Sequence, residues 1–111
     1  MKLIAFVIAA ASLASVAHAE WHLQLYRDEL YQNIIEDRKG TFPQDCKNLG
    51  ASANDQATSM HWKIGVGYGK QIVLYADKDC KGEVGSSRGD WNLPKFSSNA
   101  DNKVSSYKIN L

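Results

Sequence analysis

Two short stretches of the sequence combine acid, amide and hydroxyl side chains in the same order. They are NDQATS at residues 54–59 and DNKVSS at residues 101–106. Each has two acid-or-amide residues, two residues of any type and then two hydroxyl residues. In a chain of average composition this pattern would occur by chance at about one position in ten thousand. Carboxylates, amides, hydroxyls and backbone carbonyls are the hard oxygen donors that Ca²⁺ prefers. The two stretches therefore predict calcium binding.

One copy alone would be typical of a polar turn, because Asn, Asp and Ser side chains bond to nearby backbone groups. Both copies, however, are followed by residues that alternate between apolar and polar. The apolar ones are Met60, Trp62 and Ile64 in the first half and Tyr107, Ile109 and Leu111 in the second. This recurrence favours a paired site over two unrelated turns.

The first 19 residues have the composition of a secretory signal peptide. Lys2 precedes an apolar run at residues 3–11, and Ala17 and Ala19 form a small-x-small cleavage signal. The apolar run is too short for a membrane span. We therefore predict a secreted, extracellular protein whose mature chain, residues 20–111, is one small domain.

The charge of the mature chain argues against two classes of partner. Without Lys2 the chain has 12 basic and 12 acidic residues, a formal net charge of zero. Neither nucleic acid binding nor membrane insertion is expected, because neither target would meet an excess of positive charge. The sequence specifies neither a protein nor a cell-wall partner.

Two cysteines, Cys46 and Cys80, remain in the mature chain. The leader predicts export to an oxidising compartment, and no third cysteine competes, so a single Cys46–Cys80 disulfide is expected. No Ser–His–Asp signature is present, and His22 and His61 lack the neighbouring ligands of a zinc site. The protein is therefore predicted not to be an enzyme.

The apolar pattern of the mature chain predicts strands and no helices. Alternation or β-rich composition marks residues 21–26, 33–36, 45–49, 60–64, 71–75, 83–86 and 107–111. Residues 65–69 are a glycine-rich linker, and residues 90–94 are predicted to form a bend. The fold class is all-β.

The two halves of the mature chain overlay as an internal repeat. Tyr26 overlays Tyr75, and Asn33 overlays Gly82, where both residue types tolerate a left-handed backbone. Asn48 is placed over Asn92. Two four-strand units, at about residues 21–65 and 70–111, are expected to form two Greek keys packed as a sandwich.

These features together resemble the βγ-crystallin family, and in particular its microbial calcium-binding members. That family marks each Greek key with an aromatic residue, four residues, a second aromatic, one residue and glycine. Residues 26–33 fit this pattern with Asn33 in the glycine place, and residues 75–82 fit it with Cys80 in the second aromatic place. Both hydroxyl-containing motifs match the calcium signature of the family. The resemblance implies a βγ-crystallin-like sandwich that binds about two Ca²⁺ ions per chain.

The resemblance also implies that ligands from the two motifs cross over to build two sites. Each site combines a backbone carbonyl, a hydroxyl and a side-chain oxygen. One would take the Gln56 carbonyl, the Thr58 hydroxyl and the Asn102 side chain. The other would take the Lys103 carbonyl, the Ser105 hydroxyl and the Asp55 carboxylate. A further backbone carbonyl from the hairpins and water would complete each shell.

In this family the third strands are exchanged between the two sheets, which would bring the segment around Cys46 next to the hairpin that carries Cys80. Calcium would stabilise a structural or interaction module. Two other functions are open on the same fold: a secreted toxin or antimicrobial effector, and a protease inhibitor. A toxin favours a basic or amphipathic face, and an inhibitor favours an extended loop, for which residues 50–53 or 96–100 are the candidates.

Overall fold

The structure is a computed structural model that describes residues 20–64 and 70–110, and the strands lie throughout these two ranges. In chain order they are β1 (Trp21–Asp28), β2 (Gln32–Gly40), β3 (Gln44–Asn48), β4 (Ser59–Ile64), β5 (Gln71–Asp77), β6 (Lys81–Ser87), β7 (Trp91–Leu93) and β8 (Ser106–Asn110). No described residue is helical, which confirms the all-β class. Within the same two ranges there is consequently no helix of membrane-spanning length. The predicted leader, the linker at 65–69 and Leu111 lie outside the described residues.

The eight strands form two four-stranded antiparallel sheets. One sheet has the order β2-β1-β4-β7 and the other β3-β8-β5-β6. Each sheet therefore takes three strands from one half of the chain and its remaining strand from the other half. The exchanged strands are β3 and β7, the third strand of each half, as the family resemblance implies. This exchange places the motif loops before β4 and β8 side by side.

Two details of the sequence prediction are wrong. Residues 91–93 form β7, whose Leu93 and Trp91 pair with Met60 and Trp62, rather than a bend. The overlay of Asn48 on Asn92 is displaced by two residues. Tyr107 in β8 and Met60 in β4 are equivalent positions of the two halves. Lys47 pairs with Tyr107, and Leu93 pairs with Met60. Lys47 of β3 is therefore equivalent to Leu93 of β7.

The core lies between the sheets and follows from the alternation of side chains along the strands. Residues separated by two positions point to the same face, so every second apolar residue turns inward. The buried apolar strand residues that pack together in this core are Trp21, Leu23, Leu25, Met60, Trp62, Ile72, Leu74, Tyr107 and Ile109. Burying each large side chain contributes roughly 1.5–3 kcal/mol, and this contribution holds the two sheets together.

A polar contact joins the sheets at their β2 and β3 edges. The hydroxyl of buried Tyr107 donates a hydrogen bond to the Glu36 carboxylate over 2.7 Å. The Lys47 ammonium lies 3.4 Å from the same oxygen. Burial, followed by the hydrogen bond to Glu36, raises the pKa of Tyr107. The phenol therefore stays protonated and acts as a donor that spans the two sheets.

Candidate metal centre

Both motif loops fold as the same sequence of tight turns. The Asn54 amide donates to the Gly50 carbonyl over 2.8 Å, and the Asp101 amide donates to the Ser97 carbonyl over 2.9 Å. Small apolar side chains in the loops face the core. The buried ones are Ala53, Ala57, Ala100 and Val104. Because these side chains anchor the turns, the polar groups between them have defined positions at the surface.

The second residue of each motif has a left-handed backbone. Asp55 has a φ of 59° and Asn102 a φ of 56°, a conformation that Asp and Asn tolerate better than most residues. This conformation turns each amide towards the opposite loop. The Asp55 amide donates to the Val104 carbonyl, and the Asn102 amide donates to the Ala57 carbonyl, both over 3.0 Å. The two loops therefore bind each other through a symmetrical pair of backbone hydrogen bonds.

The side chains of the motifs cross in the same way. The Ser105 hydroxyl donates to Asp55 Oδ1 over 2.9 Å. The Thr58 hydroxyl donates to Asn102 Oδ1 over 3.3 Å. The structure thus brings together the two side-chain pairs that the family resemblance implies. The remaining predicted ligands, Gln56 and Lys103, lie in the turns within each motif.

The groups in these two places fit a hard cation. Two oxygens that bind one Ca²⁺ at about 2.4 Å lie about 2.8–3.4 Å apart when the angle between them is about 72–90°. This range includes the separations of 2.9 Å and 3.3 Å within the two pairs. The first residue of each motif also has a buried oxygen without a hydrogen-bond partner, Asn54 Oδ1 and Asp101 Oδ1. Within the described chain no three His, Cys, Asp or Glu side chains cluster as a metal site. Any cation here would therefore be held mainly by neutral oxygens, which favours modest affinity.

The last serine of each motif has a role that the sequence prediction missed. Ser59 is fully buried, donates from its hydroxyl to the Asp28 carbonyl over 2.6 Å, and accepts from the Tyr31 amide over 3.2 Å. It therefore ties the first motif to the corner of the β1–β2 hairpin. The signal for such a role is that serine occupies the last place of both motifs.

Ser106 makes the same connection in the second half. This fully buried serine donates to the Asp77 carbonyl over 2.6 Å and accepts from the Cys80 amide over 3.0 Å. It ties the second motif to the corner of the β5–β6 hairpin. Each proposed cation ligand, Thr58 or Ser105, is thus followed immediately by a residue that holds a hairpin corner.

The corner of the β1–β2 hairpin is closed by rings. Tyr31 stacks on His61 with ring centroids 3.7 Å apart, and it meets Tyr26 edge-on at 5.7 Å. The Tyr26 hydroxyl lies 3.3 Å from His61 Nδ1. Burial first, and then the nearby Lys63 charge, lowers the pKa of His61. The fold therefore favours a neutral imidazole in this stack.

The corner of the β5–β6 hairpin is closed by a covalent bond instead. Cys80, in the second aromatic place, forms a disulfide with Cys46 on β3, as predicted, with a Cα separation of 5.8 Å. Beside it, the Asp79 amide donates to Asn48 Oδ1 over 2.8 Å, and Asn48 Nδ2 donates back to Asp79 Oδ1 over 3.1 Å. The two corners are therefore equivalent in backbone path and different in chemistry.

Two exchanged four-stranded sheets, with crossed loops at one end, define a βγ-crystallin-like fold. The structure is similar to a βγ-crystallin domain from Clostridium beijerinckii, with a TM-score of 0.54 and 20% identity over 80% of this chain and 97% of that chain. It is similar to a βγ-crystallin domain from Flavobacterium johnsoniae, with a TM-score of 0.53 and 24% identity over 78% and 91%. The N-terminal domain of protein S gives 0.50 and 18% over 79% and 93%. No family model and no curated protein matches the sequence.

Proposed function

We propose that the protein is a secreted calcium-binding domain in which about two Ca²⁺ ions stabilise an extracellular structural or interaction module. The observation that carries the proposal is the crossed approach of the motifs, Ser105 to Asp55 and Thr58 to Asn102. Oxygen donors from distant parts of the chain converge there in two places. The resemblance of both motifs to the calcium signature supports Ca²⁺ as the ion.

Each site would use oxygens from both loops. One would take the Thr58 hydroxyl, the Asn102 side-chain oxygen and the Gln56 carbonyl. The other would take the Ser105 hydroxyl, the Asp55 carboxylate and the Lys103 carbonyl. Bound Ca²⁺ supplies positive charge that draws these oxygens together. Because each set contains groups from both halves of the chain, binding would strengthen the connection between the halves.

The proposed location rests on the leader at residues 1–19, and the disulfide is consistent with an oxidising compartment. The test of export is mass spectrometry of the protein recovered from the medium of an expressing bacterium. Cleavage after Ala19, leaving Glu20 as the first residue, is the expected result. Retention of the intact leader in the cell would reject the proposed secretion.

The structure gives no support to the inhibitor alternative. Residues 50–53 and 96–100, the candidate inhibitor loops, lead into tight turns, and Ala53, Phe96 and Ala100 within them are buried. A protease requires an extended segment that it can hold along its cleft, and neither loop presents one. The net charge of zero argues against the basic face that would favour a toxin.

Calorimetric titration of the oxidised mature protein with Ca²⁺ tests the central proposal. We expect about two ions per chain with micromolar to millimolar dissociation constants, as in extracellular modules with few charged ligands. The Thr58→Arg, Ser105→Arg double variant should bind neither ion, because each arginine places a positive charge at a ligand position. A matched Ser52→Arg, Ser98→Arg variant changes exposed serines of the same loops and should bind both. A flat trace with the unaltered protein would reject calcium binding.

A further inference from the structure

The disulfide is accessible from solvent. Cys46 is exposed on β3 and Cys80 is half-buried at the hairpin corner. Cys46 also lines a surface cleft of about 280 Å³ that has both a carboxylate and an ammonium group at its wall. Its polar and apolar lining includes Pro43, Gln44, Asp45, Lys108 and Asn110. A small thiol can therefore reach this bond without opening the core.

A short chain of contacts connects the disulfide to the Asp55–Ser105 pair. The Cys80 amide donates to the Ser106 hydroxyl over 3.0 Å. The neighbouring Ser105 donates its amide to the Tyr75 carbonyl over 2.8 Å and its hydroxyl to Asp55 over 2.9 Å. Movement of the hairpin corner would displace Ser106 and, with it, the hydroxyl that faces Asp55.

The corner depends on the disulfide because its backbone is strained. Asp79 and Cys80 have left-handed φ values of 61° and 56°, a conformation that costs energy for residues other than glycine. Apart from the disulfide, β3 is connected to the corner by the Asn48–Asp79 hydrogen bonds. Both of these lie at the exposed surface, where water competes for them. A reduced corner is therefore expected to fray.

The other hairpin corner contains no thiol. Tyr31 is held there by its stack on His61 and by the hydrogen bond from its amide to Ser59. The Thr58–Asn102 pair beside it has no contact with either cysteine. A reductant would consequently act on one cation site and spare the other.

We propose that Cys46–Cys80 is a thiol–disulfide exchange site through which an external dithiol lowers the cation affinity of the Asp55–Ser105 site. The reaction is balanced: one thiolate of the dithiol attacks a protein sulfur, and the S–S bond breaks. The second thiol then resolves the mixed disulfide. The protein gains two electrons and two protons, and the dithiol becomes a disulfide. This inference rests on the proposed calcium binding.

The experiment compares calcium titrations of the oxidised protein and of protein reduced with dithiothreitol, with its thiols then capped by iodoacetamide. If the reduced corner is ordered about one tenth of the time, one binding step weakens about tenfold. The other step should change less than about twofold. The Cys46→Ser, Cys80→Ser variant should show the weakened step at once and should not respond to dithiothreitol. Equal effects on both steps, or no effect, would overturn the proposal.

A calcium-free measurement separates this proposal from the proposed function. Amide hydrogen exchange without Ca²⁺ should become faster on reduction at Cys80 and Ser105, whose amides bond across the corner. The equivalent amides of Tyr31 and Thr58 should keep their rates. Uniform acceleration, or none, would overturn the coupling whatever the calorimetry shows. An oxidised protein that binds no Ca²⁺ would instead reject the proposed function, and with it the control of affinity.

Discussion

Ser105 donates its hydroxyl hydrogen to the carboxylate of Asp55 over 2.9 Å, although fifty positions separate the two residues in the chain. The matching pair, Thr58 and Asn102, meets at 3.3 Å. The two side-chain pairs differ in formal charge, because Asp55 contributes a carboxylate where Asn102 contributes a neutral amide. The two proposed cation sites should therefore differ in calcium affinity, with the Asp55 site the tighter one. Exchanging the acid and the amide between positions 55 and 102 should reverse which site is tighter.

Asp55→Asn should weaken the tighter calcium step, because it removes the carboxylate from that site. Asn102→Asp should strengthen the weaker step for the converse reason. Both changes conserve size and the ability to adopt a left-handed backbone. Calorimetric titration at fixed ionic strength measures both steps. If Asp55→Asn leaves both dissociation constants unchanged, the crossed assignment of ligands is wrong.

Calcium should raise the melting temperature. An ion that binds only the folded state at a hundred times its dissociation constant stabilises it by about 2.7 kcal/mol per site. For a domain of this size, one saturated site predicts a rise on the order of 10–20 °C, and two sites predict about 20–40 °C. Thermal melts monitored by circular dichroism, with a chelator, with Ca²⁺ and with Mg²⁺, measure it. Equal melting temperatures in chelator and Ca²⁺ would contradict stabilisation by calcium.

Ser59→Ala and Ser106→Ala should each lower the free energy of unfolding by about 1–3 kcal/mol. Each change removes a buried hydroxyl that donates to one backbone carbonyl and accepts from one amide, and it leaves both without that partner. Ser52→Ala, at an exposed position in the first loop, is the control and should change stability little. Urea unfolding without Ca²⁺ gives the comparison. A loss no larger than that of the control would show that these hydroxyls do not hold the corners.

Acid should loosen the hairpin corner that contains His61. Burial and Lys63 lower the pKa of His61 below its ordinary value of about 6.5. The stability that this histidine contributes is therefore complete above pH 6.5 and is lost as the pH falls through the lowered pKa. His61→Gln should lose less stability than the unaltered protein between pH 7 and pH 5. Urea unfolding at both pH values tests this, with His22→Gln as the control for a histidine outside the stack.

The parts of the structure that correspond to repeated sequence patterns could be predicted from the sequence. Each motif has the same ligand types before the same alternating strand. The all-β class followed from the alternation, and the meeting of the two loops followed from the resemblance to the βγ-crystallin family. The exposed part of β2 was not predicted, because an edge strand that carries charged residues up to Lys39 shows no apolar alternation. β7 was missed because three residues before Pro94 are too few to show a period. Its place depends on pairing with β4, which only the folded chain reveals.

The chemistry of the corners could be predicted only in part. The replacement of an aromatic residue by Cys80 indicated a covalent link, since Cys46 was its one available partner. The stack of Tyr31 on His61 had no local signal, because thirty residues separate them and their contact requires β1 to lie between β2 and β4. The last serine of each motif was visible as a repeat. Its buried position at a hairpin corner was not.

The exchange of β3 and β7 has a consequence for a chain that is cut by a protease. Neither half possesses a complete sheet, so two fragments produced by cleavage within residues 65–69 would remain interlocked as a complementing pair. Cys46 belongs to the first fragment and Cys80 to the second, so the nicked molecule would also remain a single covalent species. Such a molecule would keep its architecture after proteolysis, and its fragments would separate only after both denaturation and reduction.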